Sequence, residues 1–333
     1  MKSIIIEKAY GIENISLDET EIPTLKSNQV LIKVHAISLN QLDLLVTKGN
    51  FGNKIPHILG SDAAGIIEKI GKDVTNFKIG DKVTSHFIQT WQHGIIKNTD
   101  IQNSLGTSVS GVFSEYIVLD ENSIVKIPSN LNLKEASTLP IAALTAFEAV
   151  FTIGKLEKNQ TILLQGTGGV SVFALKFAKA IGAKVILISS NDKKLEIAKK
   201  FGADEIINYK KEENWQEKVL ELTNGNGVDV ALEISWADIN KTIEAMKISG
   251  KIVVVGMLGG HNVEINVFSL IQKSLTITAA HVGSKENFIK MNSFIENHNI
   301  QPFIDSEFAI SEFKKAFHHF ENSNHIGKIV LTF

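Results

Sequence analysis

At 333 residues, with 44% hydrophobic and 21% charged positions, the chain has the length for two domains and the composition of a globular protein rather than a disordered one. Its net charge of −2 provides no general field for nucleic acid or anionic membrane, and no apolar run approaches the roughly 20 residues that span a bilayer. It contains no cysteine, which excludes disulfides, a thiolate nucleophile and thiolate-bound zinc, and no arginine, so phosphate or carboxylate must be met by lysine as a point charge.

The opening "MKSIIIEKAYGIENISLDE" has too short an apolar stretch, and acids too early, for a secretory signal, so a cytoplasmic location is expected. Up to residue 127 the runs "NQVLIKVHAISL", "AAGIIEKIG", "GDKVTSHFI" and "GVFSEYIVLD" alternate apolar and polar residues between glycine turns, which predicts a twisted, mostly antiparallel β domain. Leu133 to Phe151 reads as a pair of helices, opened by Asn132 with Glu135 three residues on as a reciprocal cap. Six apolar strands then alternate with amphipathic segments closed by glycine: "TILLQG", "KVILISS", "DEIINY", "VDVALEIS", "KIVVVGM" and "LTITAAHV". That alternation predicts βαβ units and a doubly wound parallel sheet of the Rossmann type. Two helix patterns, "KENFIKMNSFIENH" and "SEFKKAFHHFEN", and a last strand "KIVLTF" complete the chain. The expected organisation is therefore α/β: a discontinuous β domain of residues 1–127 and 284–333 around a dinucleotide-binding domain of residues 128–283.

The turn after the first of the six strands carries Gly166, Thr167, Gly168, Gly169 and Val170 in "GTGGVS". Glycine permits the tight turn and lets backbone N–H groups approach a pyrophosphate, while the helix that follows supplies partial positive charge. Ser171 stands where a third glycine usually makes the helix–strand contact. The motif alone is weak; the five further strands behind it make it a dinucleotide site. The second strand ends in "LISSNDKK", with Ser189 and Ser190 in place of the acid that normally accepts the adenosine ribose hydroxyls. Ser190, Lys194 and Lys193 can donate to a 2′-phosphate and Tyr209 can close over it, which favours NADP(H) by charge-assisted bonds of about 1.5–3 kcal/mol each. A shifted turn would instead put Asp192 on the ribose and favour NAD, and a solvated helix start is the plain alternative for the two lysines.

Taken together, "GSDAAGIIEKIGKDVTNFKIGDKV", "GVFSEYIVL", "EASTLPIAALTAFEAV", "LLQGTGGVSVFALKFAKAIGAKVI", "KKLEIAKKFGADEIINY" and "HIGKIVLTF" resemble a medium-chain dehydrogenase/reductase of the zinc-independent branch typified by NADPH:quinone oxidoreductases and related enoyl reductases. The resemblance spans essentially the full length. It implies a GroES-like β domain and an active site in the cleft beside the nucleotide domain. The zinc ligands of metal-dependent members fall on Asn40, Ser61, Asp62 and Ile141, of which only Asp62 is a credible ligand, and one carboxylate does not make a tetrahedral site. Their proton-relay positions fall on Leu42 and Leu45, and the structural-zinc loop is replaced by a segment without cysteine. His86 and His93, seven apart and without a third ligand, read as packing or surface residues. No zinc is expected.

Without a Lewis acid an alkoxide is hard to stabilise, whereas a quinone or an α,β-unsaturated carbonyl takes hydride into a delocalised system. The resemblance thus implies hydride transfer from NADPH to such an acceptor, with Asn40 bonded to the acceptor oxygen and Asp62 orienting Asn40 or a water. Thr145, Gly256, Leu258, Val282, Gly283 and Ser284 would support the nicotinamide. Asn40 and Asp62 could equally cap local turns. The tyrosines that some quinone reductases carry fall on Leu45 and Phe51, so no phenolic acid is present, and Phe87 and Trp91 either shape an apolar pocket or pack. Open alternatives are a zinc-free alcohol or aldehyde oxidoreductase, an enoyl-thioester reductase, and an NADPH-binding sensor or RNA-binding protein with little catalysis. The family pattern also implies a homodimer through the sixth-strand edge, "VEINVFSLIQKSLTITAA", a small-molecule substrate, and no nucleic-acid or membrane partner.

Overall fold

The alternating runs of the first third become antiparallel strands, and the apolar runs after residue 160 a parallel set, in a computed structural model that describes residues 1–260 and 262–333. The chain begins with β1 (Lys2–Ile6), β2 (Ile15–Glu19), β3 (Gln29–Ser38), α1 (Gln41–Thr47), β4 (His57–Ile58), β5 (Asp62–Ile70), β6 (Lys82–Ser85), α2 (Asn98–Ile101), β7 (Tyr116–Asp120), β8 (Ile124–Lys126) and α3 (Leu133–Ala136). From α4 (Leu144–Phe147) it continues through β9 (Thr161–Gln165), α5 (Gly169–Ala180), β10 (Lys184–Ser189), α6 (Asp192–Lys200), β11 (Glu205–Asn208), α7 (Trp215–Leu222), β12 (Val228–Glu233), α8 (Ile239–Ala245), β13 (Met246–Val254), α9 (Val267–Lys273) and β14 (Thr276–Ala279). It closes with α10 (Lys285–Asn297), β15 (Ile304–Ala309), α11 (Phe313–Glu321) and β16 (Lys328–Thr332). Two compact units result, Met1–Leu144 with Val282–Phe333, and Thr145–His281. The first unit thus keeps the helical stretch up to Leu144, which the change of sequence texture at residue 127 assigned to the second.

In the first unit β3 is the hub. It pairs with β5, β7 and β16, all antiparallel, within a seven-stranded sheet, and a smaller sheet runs β2-β1-β4. Ten residues long and covered on both faces, β3 buries Val30, Ile32, Val34 and Ile37 against Ile67, Val83, Phe113 and Leu331. Each such side chain contributes about 1.5–3 kcal/mol by leaving water. The last strand does return to this domain: Leu331 stands opposite Ile37, and Asp62 opposite Ser38. Three strand ends and the start of α1 therefore converge on one point. Asn132 and Glu135 form the expected reciprocal cap on α3, at 3.0 and 2.9 Å.

In the second unit the six strands lie in the order β11-β10-β9-β12-β13-β14, every pair parallel. Strands β9, β10 and β12 are buried along nearly their whole length, as the continuous apolar runs require. The stretch "MKISG" ahead of the expected strand "KIVVVGM" already belongs to β13, since α8 stops at Ala245. No helix among the described residues is long and apolar enough to cross a membrane.

Candidate active site

Strand β9 ends in the glycine turn. Gly166 has φ +69, a conformation that favours glycine, and its N–H donates to Ile188 O at 2.7 Å, tying the turn to β10. Gly168 is the N-cap residue of α5 and offers no side-chain cap, so the first-turn N–H groups have no side-chain partner from that position. A Cβ added at Gly166 or Gly168 would meet nothing within 4 Å. The space over the turn is open, and the glycines keep it so. Ser171 is buried and its hydroxyl donates to Gln165 O at 2.7 Å, which closes the turn in place of a third glycine. Thr167 is buried, and Gly169 and Val170 begin α5 partly exposed.

Beside this turn, β10 delivers Ser189, buried, and Ser190, half-buried. Ser189 stands in register with Asn208 of β11, and Tyr209 N–H donates to Ser189 O at 3.2 Å, so Tyr209 sits at the same strand ends. Asn191 caps α6 by accepting from Lys194 N–H at 3.3 Å. Asp192 faces away toward β11: it accepts from Asn208 Nδ2 at 2.6 Å and pairs with Lys211 at 2.7 Å. These two partners hold its carboxyl below the usual range, Asn208 first and Lys211 second. Gly166 to Val170, Ser189, Ser190 and Tyr209 are thus brought to one edge of the sheet, at the carboxyl ends of its strands. Gly256 and Leu258 follow β13, where Leu258 N–H donates to Ile234 O at 3.1 Å. Thr145 is buried in α4. Val282, Gly283 and Ser284 belong to the first unit. There Ser284 caps α10, and His86, wholly buried, donates from Nε2 to Gly283 O at 3.1 Å. Burial pushes the His86 imidazole down to about 4, so it is neutral.

In the first unit Asn40 and Asp62 lie together, with four further polar residues, Ser38, Asp43, Ser61 and Lys328, around them. Gly60, with φ +99, makes the approach possible: a Cβ there would lie 1.9 Å from the Phe113 ring. Asn40 is the N-cap of α1, and Asp43 accepts its backbone N–H at 2.8 Å. Both ends of the Asn40 amide have partners: Nδ2 donates to Ser61 Oγ at 3.3 Å and Oδ1 accepts from Lys328 Nζ. Ser61 Oγ donates to Asp43 Oδ1 at 3.4 Å, and Ser38 Oγ to Asp62 Oδ2 at 3.3 Å. Lys328 Nζ also donates to Leu39 O at 2.7 Å and lies 3.8 Å from Asp62 Oδ2. Asp43, Asp62 and Lys328 are each no more than 2% exposed. Burial, then the neighbouring Asp62, pushes the Asp43 carboxyl up to about 7; burial raises Asp62, and burial lowers Lys328 against the pull of both carboxylates. Phe87 and Trp91 are packed in the core of this unit, and Trp91 Nε1 donates to Gly94 O at 2.9 Å.

Residues 26–129 match the alcohol dehydrogenase GroES-like domain, and residues 169–297 match the zinc-binding dehydrogenase family. A zinc-type alcohol dehydrogenase-like protein of Schizosaccharomyces pombe is 36% identical over 99% of this chain and 99% of its own. A quinone oxidoreductase of Pongo abelii is 26% identical over 99% of this chain and 97% of its own. The solved structure of a candidate alcohol dehydrogenase from Sinorhizobium meliloti superposes with a TM-score of 0.95, at 34% identity, over 100% of this chain and 98% of that one. The chain belongs to the medium-chain dehydrogenase/reductase superfamily, in its quinone oxidoreductase-like branch. It is accordingly an oxidoreductase fold, with the GroES-like and nucleotide-binding halves that define the superfamily.

The residues at Asn40, Ser61 and Asp62 are faced by a fourth side chain, Lys328. An amide and one carboxylate face an ammonium, which already occupies the amide oxygen and lies beside the carboxylate, while the Ser61 hydroxyl meets the other end of the amide. Such a set does not fit a tetrahedral zinc. No group of three or more His, Cys, Asp or Glu placed to hold a metal occurs among the described residues. Sequence reasoning missed Asp43 and Lys328, although a lysine opening the apolar run "KIVLTF" asked for a buried partner. It also missed Glu233. This fully buried carboxylate accepts from Gln165 Nε2 and Thr242 Oγ1, both at 2.7 Å, and from the N–H groups of Ser235 and Trp236 at 3.2 and 2.8 Å. It ties the glycine-turn end of β9 to the turn after β12, and the acid in "ALEIS" was its signal.

Proposed function

We propose that the protein transfers hydride from NADPH to a quinone or an α,β-unsaturated carbonyl, without a metal, giving NADP+ and an oxyanion that takes its proton from water. The observation that carries this reading is the ammonium of Lys328 against Asn40 and Asp62, residues that the family resemblance puts at the metal positions of zinc-dependent members. A cation and its carboxylates are already matched there, so no step is assigned to a Lewis acid. Such chemistry suits an acceptor that delocalises the incoming charge.

The residues fit the dinucleotide. The open space over Gly166 and Gly168 and the first-turn N–H groups of α5 suit a pyrophosphate. Ser190, Lys194 and Tyr209 suit the 2′-phosphate, and the commitment of Asp192 to Asn208 and Lys211 supports NADP over NAD, because that carboxylate is turned from the ribose position. Thr145, Gly256, Leu258, Val282, Gly283 and Ser284 are assigned to the nicotinamide end. When bound, the reduced nicotinamide supplies the hydride. Asn40 Nδ2 donates to the acceptor oxygen, Asp62 holds the amide's surroundings through Lys328, and the Asp43 carboxyl holds a proton close to neutral pH. A zinc-free alcohol or aldehyde oxidoreductase is the second reading; the 36% identical relative is an alcohol dehydrogenase-like protein, though of the zinc type.

The test is NADPH deuterated at C4 with a conjugated enone, in the presence and absence of chelator. Deuterium on the β-carbon of the saturated product, at the same rate in both, is expected. Deuterium on the carbonyl carbon, or a rate that chelator removes, would overturn the proposal.

A further inference from the structure

We propose that Lys328 is a positioning residue: its ammonium fixes the Asn40 amide with the oxygen turned inward, leaving only the N–H edge to meet an acceptor oxygen. The inference rests on the contact assigned to Asn40 above. A lysine ammonium carries three donors and no acceptor, so the amide atom that faces Nζ must be the oxygen. With the amide turned over, donors would face donors at a buried contact. The other two directions of Nζ are also specified, toward Leu39 O at 2.7 Å and Asp62 Oδ2 at 3.8 Å, so the ammonium has nowhere else to turn. The side chain of Lys328 is 3% exposed and that of Asp62 is 0%. No solvent screening loosens the arrangement.

The far edge of the amide is held less firmly. Asn40 Nδ2 donates to Ser61 Oγ at 3.3 Å and faces the Asp62 carboxylate. A carbonyl or quinone oxygen competes with these two acceptors and not with the ammonium. Lys328 thus selects a donor at this position from a side chain that could present either group. Lys328, the first residue of β16, contacts the amide oxygen, so it acts through Asn40. The charged groups around it are Asp62, at the start of β5, and Asp43, on α1.

The experiment compares wild type with Lys328→Met. In cofactor-free protein, the side-chain NH2 resonances of Asn40, assigned by their loss in Asn40→Ala, are read by 15N NMR. With enone and NADPH, kcat and the two KM values are then measured. The inference expects the NH2 pair to shift and exchange faster with solvent in Lys328→Met, kcat to fall about 10–100-fold, and KM for NADPH to stay within about twofold. Methylammonium added to Lys328→Ala is expected to restore part of the lost kcat. An unmoved NH2 pair, or a moved pair with unchanged kcat, overturns the inference. Should Lys328→Met fail to fold, Lys328→Met/Asp43→Asn, which removes charge in a pair, carries the same readouts. Absence of turnover in wild type with any quinone or enone sinks the proposed reaction instead, and the amide resonances still decide what Lys328 does.

Discussion

Replacing Asp43 by Asn turns the buried carboxyl cluster into a measurable pH dependence. Asp43 is wholly enclosed beside Asp62, and burial first, then that neighbour, pushes its carboxyl from 3.8 to about 7. An acid whose folded value lies above its unfolded value keeps a proton on the folded state between the two. Its contribution is therefore fully present below about pH 4 and lost as the pH rises toward and through 7. At about 1.4 kcal/mol per pH unit the span amounts to about 4 kcal/mol, of which about 3 kcal/mol falls between pH 5 and 8. Asparagine has the shape of the protonated acid, and its amide oxygen can still accept the Asn40 backbone N–H, so Asp43→Asn removes the titration without opening a cavity. The assay is urea unfolding of 5-fluorotryptophan-labelled protein followed by 19F NMR. Trp91 reports on the first unit, while Trp215 and Trp236 report on the second. The Trp91 transition of wild type should lose about 3 kcal/mol more than that of Asp43→Asn on going from pH 5 to pH 8. Parallel pH curves for the two proteins would refute the reasoning.

Gly168→Asp should fold at least as well as wild type, since φ −74 suits any residue, the added Cβ meets nothing, and aspartate is a favourable N-cap. Its carboxylate should repel a pyrophosphate, weakening NADPH at least about tenfold by fluorescence titration with no loss of thermal stability. Lys194→Ala should weaken NADPH about tenfold more than NADH in the same titration; equal losses would place the 2′-phosphate elsewhere. Asn40→Ala should lower kcat with an enone about 10–100-fold at unchanged NADPH affinity, and unaltered kinetics would remove it from the reaction. We further propose that a second copy of the chain covers the open edge of β14 and α9, where Val267, Phe268 and Ile271 are 61, 67 and 69% exposed. Light scattering should then give twice the chain mass, and a monomeric mass would exclude it.

The parallel sheet was legible because its causes are local: six apolar runs, the first three each followed by an amphipathic segment and a glycine at positive φ, Gly182, Gly202 and Gly225. The glycine turn was legible for the same reason. Strand β15 was not, since its residues are only alternately half-buried and "IDSEFA" reads as polar. The polar cluster was half legible. Asn40 and Asp62 were found through the positions they occupy in a known family, but Lys328 lies 288 residues from the amide it contacts. Nothing within a local window brings such groups together. Only the register of β16 on β3 and of β3 on β5 does, by placing the start of one strand beside the end of another. Where Asp192 points, on which the proposed preference for NADP rests, is likewise determined by its neighbours Asn208 and Lys211 and not by the run "SSNDKK".

The most direct measurement is NADPH oxidation by chelator-treated protein against a quinone, a conjugated enone and a saturated aldehyde in parallel, with NADH as the control. Turnover with the quinone or the enone, faster with NADPH than with NADH, is the predicted result. Turnover confined to the aldehyde, or none until zinc is restored, would contradict a metal-independent reduction of conjugated carbonyls.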